Sequence, residues 1–291
     1  MATESTAPRT PFPPQQQELP GLTGAMTPAP DHGETSYVGS GRLIGRRALI
    51  TGGDSGIGRA VAIAYAREGA DVAFTHLPEE REDAEQTHAL VTAEGRTCVA
   101  IEADFRDSAT CDRVVATCVE ALGGLDVLVN NAGTQEARAF GLENMGDDRI
   151  ERTVTTNLSA VLWMTRAALP HLGRGDCIIN NSSIQAFTPS PTLLDYAATK
   201  AAVNNFTVNL AADLGPRGIR VNAVVPGPVW TPLQPASQPS SKIEQFGVST
   251  PLGRCAQPAE VAPAFVFLAS ERDASYVSGT VLGVTGGKPV F

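Results

Sequence analysis

Residues 48–58 read ALITGGDSGIG, an apolar run that passes directly into a glycine-rich turn and the first residues of a helical pattern. Glycines allow the backbone to turn sharply and to approach a pyrophosphate, and the N-terminus of the following helix favours negative charge. An ordinary strand-to-helix loop is the alternative interpretation. Because the turn lies between the first strong strand and the first helix and opens a βαβ unit, dinucleotide binding is favoured.

Strand-like and helix-like patterns alternate on both sides of this turn. Strands are predicted near 48–51, 71–75, 97–104, 126–133, 177–183, 219–227 and 280–287, and helices near 57–68, 79–94, 108–122, 146–172, 192–214 and 258–269. Continuous apolar strands separated by helices are typical of a parallel sheet that is buried on both faces. We therefore predict an α/β fold over residues 41–291, a Rossmann-like doubly wound parallel sheet of about seven strands in a single domain.

Composition limits the partners and the compartment. The 291 residues contain 22 Lys and Arg against 31 Asp and Glu, and no basic cluster that would suit nucleic acid. No apolar run approaches the length of a membrane span. The N-terminus has no basic region followed by an apolar stretch, so we expect no secretory signal. The five cysteines form no CxxC pair or Cys-His cluster, so we expect reduced thiols, no metal and a cytoplasmic protein. The Ser- and Thr-rich residues 1–10 leave an organelle transit peptide as the alternative.

Residues 1–40 have a different composition from the rest of the chain. They contain seven of the 21 prolines and show no apolar period. Such a segment cannot form its own core, and it is either disordered or laid along the surface of a folded domain. Phe12, Leu19, Met26 and Tyr37 are its scattered apolar anchors.

Further motifs follow the glycine turn in a fixed order. They are Asn130-Asn131-Ala132-Gly133, Asn157 within TTNLSA, Ser183, the YxxxK sequence of Tyr196 and Lys200, and Pro226-Gly227 with Thr231. With the TGxxxGIG spacing of the turn, this series resembles the short-chain dehydrogenase/reductase family over nearly the whole of residues 43–290. The resemblance implies an NAD(P)(H)-dependent oxidoreductase that interconverts an alcohol and a carbonyl. The alternative is a catalytically weak nucleotide-binding scaffold or stress-related sensor of the same fold.

The resemblance also implies roles for the catalytic set. Hydride transfer to a carbonyl needs a proton donor at its oxygen, and Tyr196 would be this acid/base. Lys200, one helical turn further on, is expected to lower the pKa of Tyr196 and to bind the nicotinamide ribose. Ser183 would orient the substrate oxygen, and Asn157 would hold a water in a proton relay.

A cofactor site follows from the same resemblance. Its expected residues are Gly52, Asp54, Ser55, Gly56, Ile57, Gly58, His76, Asp104, Phe105, Asn131, Ala132, Gly133, Tyr196, Lys200, Pro226, Gly227, Val229 and Thr231. An acidic residue at the end of the second strand would bind the ribose of NAD, but that strand ends Phe74-Thr75-His76-Leu77, with no carboxylate before Glu79. This absence, together with Arg59 and His76 nearby, favours NADP(H) over NAD(H).

A narrower resemblance concerns the arm and the substrate. The arm sequence PAPDHGETSYVGSGRL, the turn GGDSGIGR and the run PGPVWTPLQP resemble a subgroup labelled glucose and ribitol dehydrogenase, general stress protein and aldehyde reductase. This subgroup implies an ordered arm that is draped over its own subunit or over a neighbouring one. Substrate contacts are expected from Ser183, Gln185, Tyr196 and Trp230, with Leu233, Ile243 and Phe246 on a mobile lid over 232–249. A sugar, a polyol, an aldehyde or a ketone remain equally compatible, and helices 146–172 and 192–214 are expected to form a homotetramer.

Overall fold

The computed structural model describes residues 11–137 and 141–291. Its strands are β1 (Arg47–Ile50), β2 (Asp71–His76), β3 (Cys98–Glu102), β4 (Val127–Asn130), β5 (Cys177–Asn181), β6 (Arg220–Pro226) and β7 (Val281–Val284). Within the described ranges these seven strands form one parallel sheet in the order β3-β2-β1-β4-β5-β6-β7. The predicted Rossmann-like α/β fold is therefore confirmed.

Helices connect the strands and cover both faces of the sheet. They are α1 (Gly56–Arg67), α2 (Arg81–Ala93), α3 (Ser108–Leu122), α4 (Asp147–Val154), α5 (Ala160–Ala168), α6 (Leu194–Leu214), α7 (Leu233–Ser237), α8 (Ser240–Ile243), α9 (Pro258–Ala269) and α10 (Glu271–Ala274). The predicted long helix over 146–172 is found over residues 147–168, with a π-helical turn at Thr155–Ser159 between α4 and α5. None of the helices in the described part of the chain has the length and apolar character needed to cross a bilayer.

Alternate residues of the strands pack on opposite faces of the sheet. Ile50 and Ile179 belong to the core with α1 and α9, whereas Leu49 and Ile178 belong to the core with α3 and α5. Burial on both faces explains why these strands are continuously apolar. The order of connections reverses between β1 and β4, and this switch point opens a crevice at the carboxyl ends of the strands.

The described part of the Pro-rich arm, residues 11–40, lies against the domain; residues 1–10 of the predicted arm fall outside the described ranges. The backbone N–H of Gln17 donates to the carbonyl of Pro235 at 3.0 Å. Further along, the N–H of Asp31 donates to the side chain of Gln257 at 2.9 Å. The arm therefore follows the C-terminal third of the chain across its surface.

The arm joins the domain at a buried carboxylate, Glu68, directly after α1. Its side chain is fully buried and accepts hydrogen bonds from the Tyr37 hydroxyl at 2.6 Å and from the backbone N–H groups of Ser40 and Arg42, both at 2.9 Å. The Arg42 guanidinium completes the pair through Nη2 at 2.9 Å. Burial favours the neutral acid, but these bonds outweigh it and lower the pKa of Glu68 to about 2.

Candidate active site

A cleft of about 590 Å³ opens at the carboxyl ends of the central strands. The predicted cofactor and substrate residues that line it are Gly52, Asp54, Ser55, Gly56, Ile57, His76, Asp104, Phe105, Asn131, Ala132, Gly133, Ser183, Gln185, Tyr196, Lys200, Pro226, Gly227, Val229 and Thr231. The predicted site residues Gly58, Asn157 and Trp230 do not belong to its lining. The fold thus brings most of the two predicted sites into one cavity.

The glycine-rich turn forms the floor of this cleft. A Cβ at Gly58 would overlap the carbonyl oxygen of Gly52, so Gly58 acts beneath the turn by allowing close packing. Gly52 itself has a φ of +64°, a conformation that favours glycine. From β4, the Asn131 side chain donates to the carbonyl oxygens of Thr51 at 3.0 Å and Gly52 at 2.7 Å. This braced, glycine-rich turn fits a dinucleotide pyrophosphate at the N-terminus of α1.

At the end of β2, the structure differs from the sequence prediction in the placement of Arg59 and of a carboxyl group. Arg59 is buried, with Nη2 at 3.0 Å from Asp83 Oδ1, and its Nε donates to the carbonyl of Asp54 at 2.7 Å. Arg59 is therefore neither solvated nor available to a phosphate, and it does not support the expected preference for NADP(H). Glu80 Oε2 accepts the N–H of Leu77 at 2.9 Å, so a carboxyl group does lie at the end of β2.

Two carboxyl groups beside β2, those of Glu80 and Asp54, have raised pKa values. Burial, followed by the charge of Asp54, raises the pKa of Glu80 to about 8, and Asp83 and Glu79 add to this. Burial likewise raises the pKa of Asp54 to about 6. At neutral pH Glu80 is therefore mostly protonated and presents an uncharged acid to the cleft.

The structure brings Ser183, Tyr196 and Lys200 together on the opposite wall. Ser183, which follows β5, lines the cleft beside Tyr196, and its hydroxyl oxygen accepts the N–H of Gln185 at 3.2 Å. Lys200, one turn along α6, donates from Nζ to the carbonyl of Asn181 at 2.8 Å and lies 5.6 Å from the centre of the Tyr196 ring. A proton donor, a hydrogen-bonding hydroxyl and an ammonium group thus line one wall of the cleft.

Burial controls the ionisation of this group. Burial raises the pKa of Tyr196, and the nearby Ser183 hydroxyl only partly opposes this shift. Burial also lowers the pKa of Lys200 to about 8. Burial is the main influence on Tyr196 in this structure, and the expectation that Lys200 lowers the pKa of Tyr196 stays a prediction. Tyr196 is a neutral phenol that can give up a proton.

Asn157 lies in the π-helical turn between α4 and α5, and its side chain is turned away from the cleft. Its Nδ2 donates to the carbonyl of Thr134 at 2.8 Å, and its Oδ1 accepts the N–H of the same residue at 2.8 Å. The amide is thus fully used in holding the segment after β4. Asn157 acts as a positioning residue in this structure, and the water-holding role stays a prediction.

The start of α6 is fixed by a buried ion pair next to Tyr196. Asp195 accepts two hydrogen bonds from Arg149 of α4, at 3.0 Å from Nε and 2.9 Å from Nη2. Thr153 adds a third from its hydroxyl at 2.9 Å. Arg149 also donates to the backbone carbonyl of Glu136. The pair therefore connects the helix that carries Tyr196 to the segment after β4.

The substrate end of the cleft has polar walls. Gln185 lines it, with its Oε1 accepting the N–H of Ser190 at 2.7 Å. The predicted lid contains the short helices α7 and α8, and its Leu233 and Phe246 reach the cleft. Ile243 is fully buried away from the cleft, so its expected contact with substrate is wrong.

The predicted substrate role of Trp230 is also wrong. Its side chain is completely buried and stacks on Phe12 of the arm, with ring centres 4.0 Å apart. Its Nε1 donates to the carbonyl of Pro28 at 2.9 Å. Two residues that sequence reasoning missed, Leu19 and Pro20 of the arm, line the cleft instead. No local pattern marks them, because their place depends on contacts with residues far along the chain.

Comparison with known proteins agrees with this geometry. A family model described as enoyl-(acyl carrier protein) reductase matches residues 52–288. The "Uncharacterized oxidoreductase YhxD" of Bacillus subtilis is 52% identical over 96% of this chain and 94% of that protein. The "Glucose and ribitol dehydrogenase" of Daucus carota is 46% identical over 95% of this chain and 96% of that protein.

Solved structures lead to the same family. A short chain dehydrogenase from Burkholderia cenocepacia, in complex with NADP, has a TM-score of 0.78 and 38% identity, over 84% of this chain and 98% of that one. The fold and the site define a nucleotide-dependent oxidoreductase. The chain belongs to the short-chain dehydrogenase/reductase family, and the resemblance to its glucose and ribitol dehydrogenase subgroup is confirmed.

Proposed function

We propose that this enzyme interconverts an alcohol and a carbonyl compound by hydride transfer, with Tyr196 as the general acid/base. One observation carries the proposal: Ser183, Tyr196 and Lys200 share a single cleft with the glycine-rich turn. When bound, the nicotinamide cofactor supplies or accepts the hydride. Side chains of this protein carry out all the other steps.

Each residue of the catalytic wall has a defined task. In the reducing direction the neutral Tyr196 hydroxyl gives its proton to the carbonyl oxygen as that oxygen gains charge. Ser183, on the same wall of the cleft, donates the hydrogen of its hydroxyl to the same oxygen. Lys200, anchored on the Asn181 carbonyl, binds the ribose hydroxyls of the cofactor and places positive charge beside the phenolate.

The test is the replacement Tyr196→Phe, assayed by nicotinamide absorbance against aldehydes, ketones, sugars and polyols. We expect kcat to fall by about 10² to 10⁴, with cofactor Kd unchanged, because only the proton donor is lost. Tyr276→Phe is the matched control, since Tyr276 is fully exposed. Full activity of Tyr196→Phe would refute the acid/base assignment. If the unaltered enzyme turns over no compound of the panel, the scaffold alternative stands.

We propose NADP(H) as the preferred cofactor. Support comes from the NADP complex of the Burkholderia relative and from the neutral Glu80, which at neutral pH would not repel a 2′-phosphate. His76 lines the same part of the cleft, with Nδ1 at 2.8 Å from the carbonyl of Leu77. A kcat/KM that is lower with NADPH than with NADH would overturn this preference.

The substrate is proposed to be a small aldehyde, ketone, sugar or polyol. The polar walls around Gln185 and the name of the carrot relative support the polyhydroxylated members of this set. Free thiols at all five cysteines support a cytoplasmic location.

We further propose a homotetramer. Support comes from apolar side chains that stay exposed on α4, α5 and α6, namely Val154, Leu162, Leu194 and Val208. Light scattering coupled to size exclusion should then give about four times the 30.4 kDa chain mass, and the monomer mass would contradict this proposal.

A further inference from the structure

The arm contributes to the cofactor cleft itself. Leu19 and Pro20 are half-buried and form part of its wall, together with the glycine-rich turn and the catalytic residues. They belong to a segment, residues 12–28, that we term the strap. The strap crosses from the lid on one side of the cleft to α2 on the other, and it is attached on both sides.

The first attachment is to the lid and to Trp230, which lies just before the lid in the sequence. Phe12 stacks on the buried Trp230, and its backbone N–H donates to the carbonyl of Glu244 at 3.1 Å. Pro28, at the other end of the strap, accepts from the Trp230 indole at 2.9 Å. Trp230 directly precedes Thr231, which lines the cleft. The strap therefore fixes the backbone from which a cofactor-facing residue projects.

The second attachment is to the adenosine side of the cleft. The backbone N–H of Thr23 donates to Asp83 Oδ2 at 2.8 Å, and Asp83 is 98% buried. Asp83 Oδ1 pairs with Arg59, which in turn donates to the backbone carbonyl of Asp54 in the glycine-rich turn. A continuous series of buried polar contacts thus joins the strap to the floor of the cleft.

We infer that the strap is a wall of the dinucleotide-binding site and that strap docking and cofactor binding stabilise each other. The inference rests on the proposed function, because the ligand is the nicotinamide dinucleotide. A ligand that contacts only the docked strap must favour the docked state by its differential affinity. By linkage, loosening the strap must weaken cofactor binding by the same factor.

The first experiment uses the unaltered full-length chain with NADPH as the probe. Glu18 lies exposed in the middle of the strap, so a Glu-specific protease can cut after it once the strap leaves its site. Saturating NADPH, with binding followed by nicotinamide fluorescence, should slow this cleavage by about five-fold or more. Binding without protection would overturn the inference and leave the proposed function intact. Absence of binding would overturn both.

The second experiment removes one backbone hydrogen-bond donor of the strap, the N–H of Thr23. Thr23→Pro deletes the N–H that reaches Asp83, and Leu22 before it already has the extended backbone that proline requires of its predecessor, with φ −119° and ψ 141°. Thr23→Val is the matched control, because it keeps the N–H and alters only a hydroxyl that has no hydrogen-bond partner among residues 11–137 and 141–291.

We expect Thr23→Pro to raise the Kd for NADPH by about five-fold and to speed cleavage after Glu18, and Thr23→Val to do neither. Equal Kd values for all three proteins would refute the coupling. If Thr23→Pro does not fold, the protease measurement on the unaltered chain decides alone. Phe12→Ala, compared with Val38→Ala at a surface position, repeats the test at the lid side.

Discussion

Replacement of Glu68 by Gln tests how strongly the arm is held to the domain. The pKa of Glu68 falls from 4.5 in the unfolded chain to about 2 in the folded protein, which corresponds to about 3 kcal/mol of folding free energy at neutral pH. Glu68 is fully buried, so solvent does not weaken its bonds. Glu68→Gln removes the charge that Arg42 and Tyr37 stabilise. We therefore expect the free energy of unfolding at pH 7 to decrease by about 3 kcal/mol.

The sign of the pH dependence follows from the lowered pKa. A carboxylate with a depressed pKa stabilises the fold above pH 4.5 and loses this contribution as pH falls towards 2. Urea denaturation followed by circular dichroism should show the difference between the two proteins shrinking from about 3 kcal/mol at pH 7 to about 1.4 kcal/mol at pH 3.

A surface glutamate provides the control. Glu271 pairs with Arg46 but is 57% exposed, so Glu271→Gln should change the free energy of unfolding by less than about 0.5 kcal/mol. A Glu68→Gln protein as stable as the unaltered one at pH 7, or a difference that grows towards pH 3, would refute the reasoning.

Two further predictions concern the walls of the cleft. Because Glu80 loses its proton above pH 8, the Kd for NADPH should rise by about ten-fold between pH 7 and pH 9, and Glu80→Gln should remove this dependence; equal pH profiles by fluorescence titration would count against it. Asp195→Asn should cost about 3 kcal/mol of stability and lower kcat, because it leaves Arg149 buried without its partner beside Tyr196. The exposed Asp213→Asn on the same helix should do neither, and an unchanged kcat for Asp195→Asn would show that the pair does not position Tyr196.

The local sequence pattern was sufficient to predict most strands of the sheet and several helices. The boundaries of α3 and α9 agree with the sequence, because each helix has a clear apolar pattern and a polar residue before its first turn. The π-helical turn at Thr155–Ser159 is not marked by the local pattern, and its Asn157 contacts Thr134, which lies more than 20 positions earlier. Strand ends likewise predicted the cleft, because parallel strands bring their carboxyl ends to one edge.

The predictions about the site were wrong or incomplete for residues whose surroundings are determined by tertiary contacts. Trp230 has the sequence context of a substrate residue, but Phe12 covers it from more than 200 positions away. Lys200 lies one turn after Tyr196, as expected, yet burial rather than charge controls the phenol. Arg59 was expected near the cofactor, but it pairs with Asp83 instead. Glu80, for which the sequence predicted no role, reaches the end of β2 because the chain after this strand turns back.

The attachment of the strap has a consequence for folding during synthesis. The strap leaves the ribosome before any strand of the sheet, but its partners Trp230, Pro235 and Glu244 are made about 200 residues later. Throughout that interval the apolar side chains of Phe12 and Met26 have no site to occupy. The segment that is translated first must therefore dock among the last, and its contacts report that the C-terminal third has folded.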